Sequence, residues 1–171
     1  MCPLVDGLDV ASSGELQRAL AAGMSPQAIS FAGPGKRVQE LDAAVAAGVL
    51  VNVESFREVP LLAEASARHG QPARVAVRVN PDFELRGVGM RMGGGAKPFG
   101  VDAEQVPALL KVMAVAGLQF EGFHLYAASQ MLKADLLAQA TRATGELLLR
   151  LSADAPAPVR HLNLGGGWGI P

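Results

Sequence analysis

Short β-branched runs alternate along the chain with longer stretches of helical periodicity, and this alternation restricts the fold more than any other feature. The strand candidates are GLDVA (7–11), AISFAG (28–33), GVLVNVE (48–54), ARVAVRVN (73–80), LQFEGFHLYA (118–127) and RHLNLGG (160–166). Helix signals fall between them. Ser12 and Glu15 form a capping-box pattern ahead of Leu16 and Leu20, with a stop near Gly23. Ser55 with Glu58, and Asp102 with Gln105, repeat that pattern before apolar stripes that end at Gly70 and Gly117. Two further helices are predicted over about 37–47 and 131–152. Repeated strand–helix units imply a parallel sheet covered by helices, either a doubly wound open sheet or a (β/α)₈ barrel. A full barrel takes eight units and typically ~250 residues. Six units in 171 residues therefore predict an α/β fold of the partial TIM barrel type, about six of eight βα units, forming one domain over 1–171.

Composition supports helices on a buried sheet. Half the residues are hydrophobic but only 5% are aromatic, so the core rests on Ala, Val and Leu. Fifteen basic and 16 acidic residues give a formal charge of −1, without the basic footprint of a nucleic-acid binder. Cys2 is the only cysteine, which precludes an internal disulfide and points to a reducing compartment, the cytoplasm. The opening MCPLVDGLDVASSGE lacks a basic segment and a long apolar run, so neither a signal peptide nor membrane attachment is expected.

In both candidate folds ligands bind where strands end. Chemistry-bearing residues fall there: Asp9 to Ser13, Gly33 to Lys36, Asn52 to Ser55, Arg78 to Asp82, His124 to Gln130 and Asn163 to Gly169. Gly165, Gly166 and Gly167 can turn successive amides toward a phosphate, or can simply make a tight turn. His124 and Tyr126 share one strand face, with Ser129 following. They suit an aromatic, phosphorylated ligand, and equally a satisfied core histidine and core tyrosine. Arg78 at a strand end needs a partner, for which Asp9 and Glu15 are the candidates; the pairing serves a site or structure alone. Between Asp82 and Asp102 lies a glycine-rich stretch carrying Arg86, Arg91 and Lys97, and loops of this length are usually functional or disordered. His69 suits a helix C-terminus, His161 the exposed start of a strand, and three scattered histidines give no metal spacing.

DVASSGEL (9–16), FAGPGK (31–36), VNVES (51–55), VRVNPDFELRGVGMRMGGGAKPFGVD (77–102), GFHLYAASQ (122–130) and LNLGGGWGIP (162–171) occur in the order seen in one enzyme family. Together they resemble the fold-type III pyridoxal-phosphate-dependent decarboxylases of diaminopimelate, ornithine and arginine. The GMRMGGGAKPFG loop looks most like the exosortase-associated branch. The resemblance implies an alanine racemase-like barrel, pyridoxal 5'-phosphate as cofactor, an amino-acid substrate and a homodimer. It implies that Gly165, Gly166 and Gly167 cradle the cofactor phosphate, Gly167 closest, and that Ser129 bonds it. Tyr126 stands where the family stacks a histidine on the pyridine ring, and His124 matches an upstream histidine of the diaminopimelate branch. Asp9, Glu15 and Arg78 match a polar network beneath the cofactor. Ala128 departs from the family's usual glycine.

The same resemblance makes the family's Schiff-base lysine an expected absence, because its motif precedes DVAS. Lys36, Lys97, Lys111 and Lys133 match no such context. The glutamate that pairs with the ring nitrogen, a phosphate-binding arginine, the cysteine and aspartate given to the partner's site, and the C-terminal β-domain are also not matched. Decarboxylation with this cofactor needs the imine linkage and a protonated ring nitrogen. The chain alone is therefore expected to be an inactive barrel fragment. The alternative is a non-catalytic binding or regulatory paralogue that pairs with an intact decarboxylase. A racemase on a similar barrel would call for an essential tyrosine from a later segment. Two unpaired strand edges predict poor solubility or self-association.

Overall fold

The structure, a computed structural model, describes residues 4–83, 90–91 and 98–170. In chain order the elements are β1 (Leu8–Val10), α1 (Ser13–Ala21), β2 (Ile29–Phe31), α2 (Val38–Ala47), β3 (Leu50–Val53), α3 (Glu58–His69), β4 (Arg74–Asn80), β5 (Met90–Arg91), β6 (Val101–Asp102), α4 (Val106–Val115), β7 (Gln119–Leu125), β8 (Ala128–Ser129), α5 (Ala134–Ser152) and β9 (His161–Asn163). Each of the six strand candidates contains an observed strand, and each helix prediction is met within a few residues.

β1, β2, β3, β4, β7 and β9 lie side by side in that order, all parallel, with short β6 added to the end of β4. β5 and β8 pair antiparallel apart from this sheet. Alternation along each strand divides its side chains. Val10, Ile29, Phe31, Val51, Val53, Val75, Val77, Val79, Phe123 and Leu125 are buried in one core beneath the helices. Into that layer the helices set apolar stripes, such as Leu41, Ala44 and Val45 of α2 and Leu147, Leu148 and Leu151 of α5. The opposite, concave face carries Asp9, Ser30, Asn52, Arg78, His124 and Asn163. Fully apolar strands would be the rule for a buried parallel sheet, so this polar lining sets the concave face apart from the core face.

The sheet curls into a partial barrel. Asn163 Nδ2 on β9 donates to Asp9 Oδ2 on β1 at 3.0 Å, joining the two edge strands across the interior. At the β4–β7 pairing the register shifts by one residue after Val75, a bulge at Glu121. The next strand then lies directly over Gly122, where an added Cβ would stand 1.7 Å from the His161 carbonyl oxygen.

Two capping expectations fail. The Ser12–Glu15 pattern is half met: Ser12 Oγ caps α1 by accepting the Glu15 amide at 3.2 Å, but Glu15 Oε2 accepts the amide of Ala11, one residue before the cap, at 2.6 Å. Ser55 makes no such cap, because Glu58 is turned inward to buried partners. Asp102 does not cap α4 either; its carboxylate accepts Asn80 Nδ2 at 2.6 Å, since β6 runs beside β4. Among the described residues no helix is long and apolar enough to cross a membrane.

Candidate functional site

Polar side chains on the concave face form a bonded row that ends at the glycine loop. Asn52 Nδ2 on β3 donates to Ser30 Oγ on β2 at 3.3 Å, and Ser30 Oγ donates in turn to Asp9 Oδ1 on β1. Asp9 also accepts Asn163 from β9, while Asn163 Oδ1 accepts the Gly165 amide at 2.9 Å. Every link is one residue per strand: the parallel register sets Asp9 beside Ser30, while Asn52 reaches Ser30 from two residues beyond its partner Leu50. Asp9 is thus joined through Asn163 to the loop that begins at Gly165. Ser30 and Asn163 received no individual role from sequence, because an uncharged Ser or Asn in a strand carries no signal until its neighbours are known.

The loop after β9 docks on the segment after β7. Gly165 has φ +73°, and an added Cβ would lie 2.7 Å from both the Leu125 carbonyl oxygen and Tyr126 Cδ2. Only glycine accepts both the angle and the contact. Met131 donates its amide to the Gly167 carbonyl at 2.8 Å, and Gly169 donates to the Met131 carbonyl at 2.9 Å. Gly165 and Gly167 have positive φ and Gly166 between them does not, and a backbone that alternates in hand is one that can form an anion-binding nest. Among the described residues the Gly166 and Gly167 amides have no hydrogen-bond partner. Tyr126 and Ser129, both half-buried, lie on the segment this loop packs against. The structure therefore brings Tyr126, Ser129, Gly165, Gly166 and Gly167 to one end of the partial barrel.

Arg78 is not paired with Asp9 or Glu15. Its Nη1 donates to both Glu54 oxygens at 3.1 Å, and its guanidinium carbon lies 4.8 Å from the Phe99 ring centroid. The reason is register: Val53 pairs with Val77, so Glu54 is the nearest carboxylate to Arg78, whereas Asp9 lies three strands away. Glu15 is likewise drawn off, exposed at the start of α1 and engaged by the Ala11 amide. It is a helix cap in this structure rather than part of the interior row.

His124 is 6% exposed and its Nδ1 has no hydrogen-bond partner among the described residues. Burial, reinforced by the Arg78 charge, lowers its pKa to about 4, so it is neutral at physiological pH. His69 does sit in the last turn of α3, 3.1 Å from Asp42. His161 is half-buried rather than exposed, and it borders a cavity of about 220 Å³ with Gly7, Ala28 and Arg74. That cavity lies at the amino ends of the strands, opposite the glycine loop. Arg86 and Lys97 fall outside the described residues, as does most of the GMRMGGGAKPFG loop.

Comparison with known proteins identifies the family. Residues 4–171 match the family described as pyridoxal-dependent decarboxylase, pyridoxal binding domain. The chain is 36% identical over 169 residues to the L-glutamyl-[BtrI acyl-carrier protein] decarboxylase of Niallia circulans, covering 96% of this chain and 39% of that protein. It is 34% identical to the diaminopimelate decarboxylase of Aquifex aeolicus, covering 96% of this chain and 40% of the relative. The crystal structure of diaminopimelate decarboxylase from M. jannaschii in complex with L-lysine superposes with a TM-score of 0.84 at 29% identity, over 99% of this chain and 40% of that one. The chain thus spans about two-fifths of the length of these relatives. With a polar-lined partial barrel, a glycine loop at its strand ends and a family match over nearly its whole length, the chain belongs to the pyridoxal-dependent decarboxylases, whose cofactor is pyridoxal 5'-phosphate.

Proposed function

We propose that this chain supplies the phosphate-gripping and ring-stacking part of the cofactor site in an amino-acid decarboxylase of the diaminopimelate type. The residues present fit that cofactor. Gly166 and Gly167 offer amides, Ser129 a hydroxyl and Tyr126 a flat ring, and all four are on segments that pack together. Bound pyridoxal phosphate provides an electron sink for the pair left behind when an α-carboxylate departs as carbon dioxide. The chain's own work is binding and orientation: amides and hydroxyl hold the phosphate, Tyr126 flanks the ring, and Asp9, Arg78 and neutral His124 form the floor. The observation that carries this reading is the bonded row from Asn52 through Asp9 and Asn163 to the Gly165 amide, which fixes the loop to the barrel interior.

Trp168, the sole tryptophan, lies beside Gly167 and is 75% exposed, so its fluorescence reports ligand arrival. Titration with pyridoxal phosphate is expected to quench it saturably, and Ser129→Ala to weaken binding. Unquenched emission from a folded chain would overturn the reading. Lys36 is the buried lysine among the described residues, and Glu54 and Glu58 engage it. The loaded 171-residue chain is therefore expected to form no amine product from diaminopimelate.

Homodimeric assembly, a cytoplasmic setting and the exosortase-associated branch belong to the same proposal, supported by the family likeness and the single cysteine. Gene neighbourhood tests the branch.

A further inference from the structure

Four charged side chains are buried together where β2, β3, β4 and α3 meet: Lys36 is 3% exposed, Glu54 6%, Glu58 1% and Arg78 9%. Lys36 Nζ lies 3.0 Å from Glu58 and 3.8 Å from Glu54, and it donates to the Gly33 carbonyl at 2.5 Å. Glu58 Oε2 also accepts the Glu54 amide at 2.7 Å. Glu54 is the centre of the cluster. Its carboxylate accepts the Gly33 amide at 2.5 Å, the Gly100 amide at 3.2 Å and Arg78 Nη1.

Such a constellation is a poor way to stabilise a fold. Burying each ion costs several kcal/mol before pairing returns any of it, and apolar residues of similar volume often serve stability as well. What the cluster provides is position. Glu54 reaches the loop after β2, the turn before β6 and the guanidinium on β4, all at the carboxyl ends of strands, where this barrel holds its ligand. Arg78 is level with His124, and His124 with Asn163, so this row runs from Glu54 to the residue that holds the Gly165 amide. With two cations and two anions the cluster is neutral, and loss of the Glu54 charge removes the carboxylate that holds Arg78, leaving only its contact with the Phe99 ring among the described residues.

We propose that Glu54 is a positioning residue for the cofactor, fixing Arg78 and the Gly33 and Gly100 loop ends so that the ring meets a preformed floor. This rests on the cofactor-binding reading above. It concerns the ring and not the phosphate, because the glycine loop is held from Asn163 and Met131.

The test compares the full chain with Glu54→Gln and Glu54→Asp, using Trp168 quenching by pyridoxal phosphate and by inorganic phosphate as competitor. Glu54→Gln is expected to weaken pyridoxal phosphate about tenfold or more while inorganic phosphate binds as before, with Glu54→Asp restoring part of the loss. The His124 imidazole, followed by NMR, is expected to titrate lower in Glu54→Gln, since the Glu54 charge raises its pKa. Unchanged pyridoxal phosphate affinity in folded Glu54→Gln, or equal losses for both ligands, would overturn the proposal. If Glu54→Gln does not fold, Glu54→Asp decides by the same ratio of affinities. Wild-type chain that binds no pyridoxal phosphate would instead remove the cofactor-binding reading itself.

Discussion

Acid should unfold this protein partly through a single imidazole. His124 is enclosed on the concave face, its pKa lowered from 6.5 to about 4, first by burial and then by the Arg78 guanidinium. Asp9 and Glu54 pull the other way without reversing the result. The unfolded chain binds a proton at this site below pH 6.5 and the folded chain does not until about pH 4. Its contribution to stability is therefore complete above 6.5 and is lost as pH falls between those values. At about 1.4 kcal/mol per pH unit the interval amounts to roughly 3 kcal/mol, a sizeable share of the ~5–15 kcal/mol that holds a typical domain folded. Carboxylates titrate in the same range, so the informative quantity is a difference. Urea midpoints measured from pH 7 down to pH 4 for wild type and for His124→Gln should diverge, wild type losing roughly 3 kcal/mol more. Parallel curves would show that His124 protonates freely in the folded state and would refute the burial argument.

Three further outcomes are expected. Gly165→Ala forces a side chain into positive φ and against the Leu125 carbonyl and Tyr126; pyridoxal phosphate affinity should fall at least about tenfold, equivalent to ~1.4 kcal/mol, as read by Trp168 quenching. Glu15→Ala removes the carboxylate that accepts the Ala11 amide at the start of α1 and should cost roughly 0.5–1 kcal/mol in denaturant unfolding, with cofactor affinity unchanged, because Glu15 lies outside the interior row. β1 and β9 end the sheet, and Leu162 and Leu164 are exposed at the β9 edge; sedimentation velocity should detect self-association that Leu162→Lys reduces.

Much of the architecture was readable in the sequence. Alternating strand and helix periods located six parallel strands and the helices between them, since each period follows from backbone geometry within a few residues. The Ser12 cap of α1 was legible for the same reason, being made within one turn. The site was less legible. Arg78 was recognisable as needing a partner, but the partner depended on which strand lies alongside β4, and register chose Glu54. Lys36, Glu54 and Glu58 gave no hint of burial, because charged residues near loops ordinarily face water. Ser55 and Asp102 carried valid capping signals that longer-range contacts of Glu58 and Asp102 overrode.

Local periodicity and the glycine run were thus determined by the sequence itself, through forces acting between near neighbours in the chain. The curl of the sheet was decided only in three dimensions. It sets Asn163 against Asp9, two residues 154 positions apart, and aligns the row that carries Gly165 to the interior. Each strand pairs with its neighbours alone, so the meeting of first and last strands depends on twist and helix packing accumulated across the whole sheet.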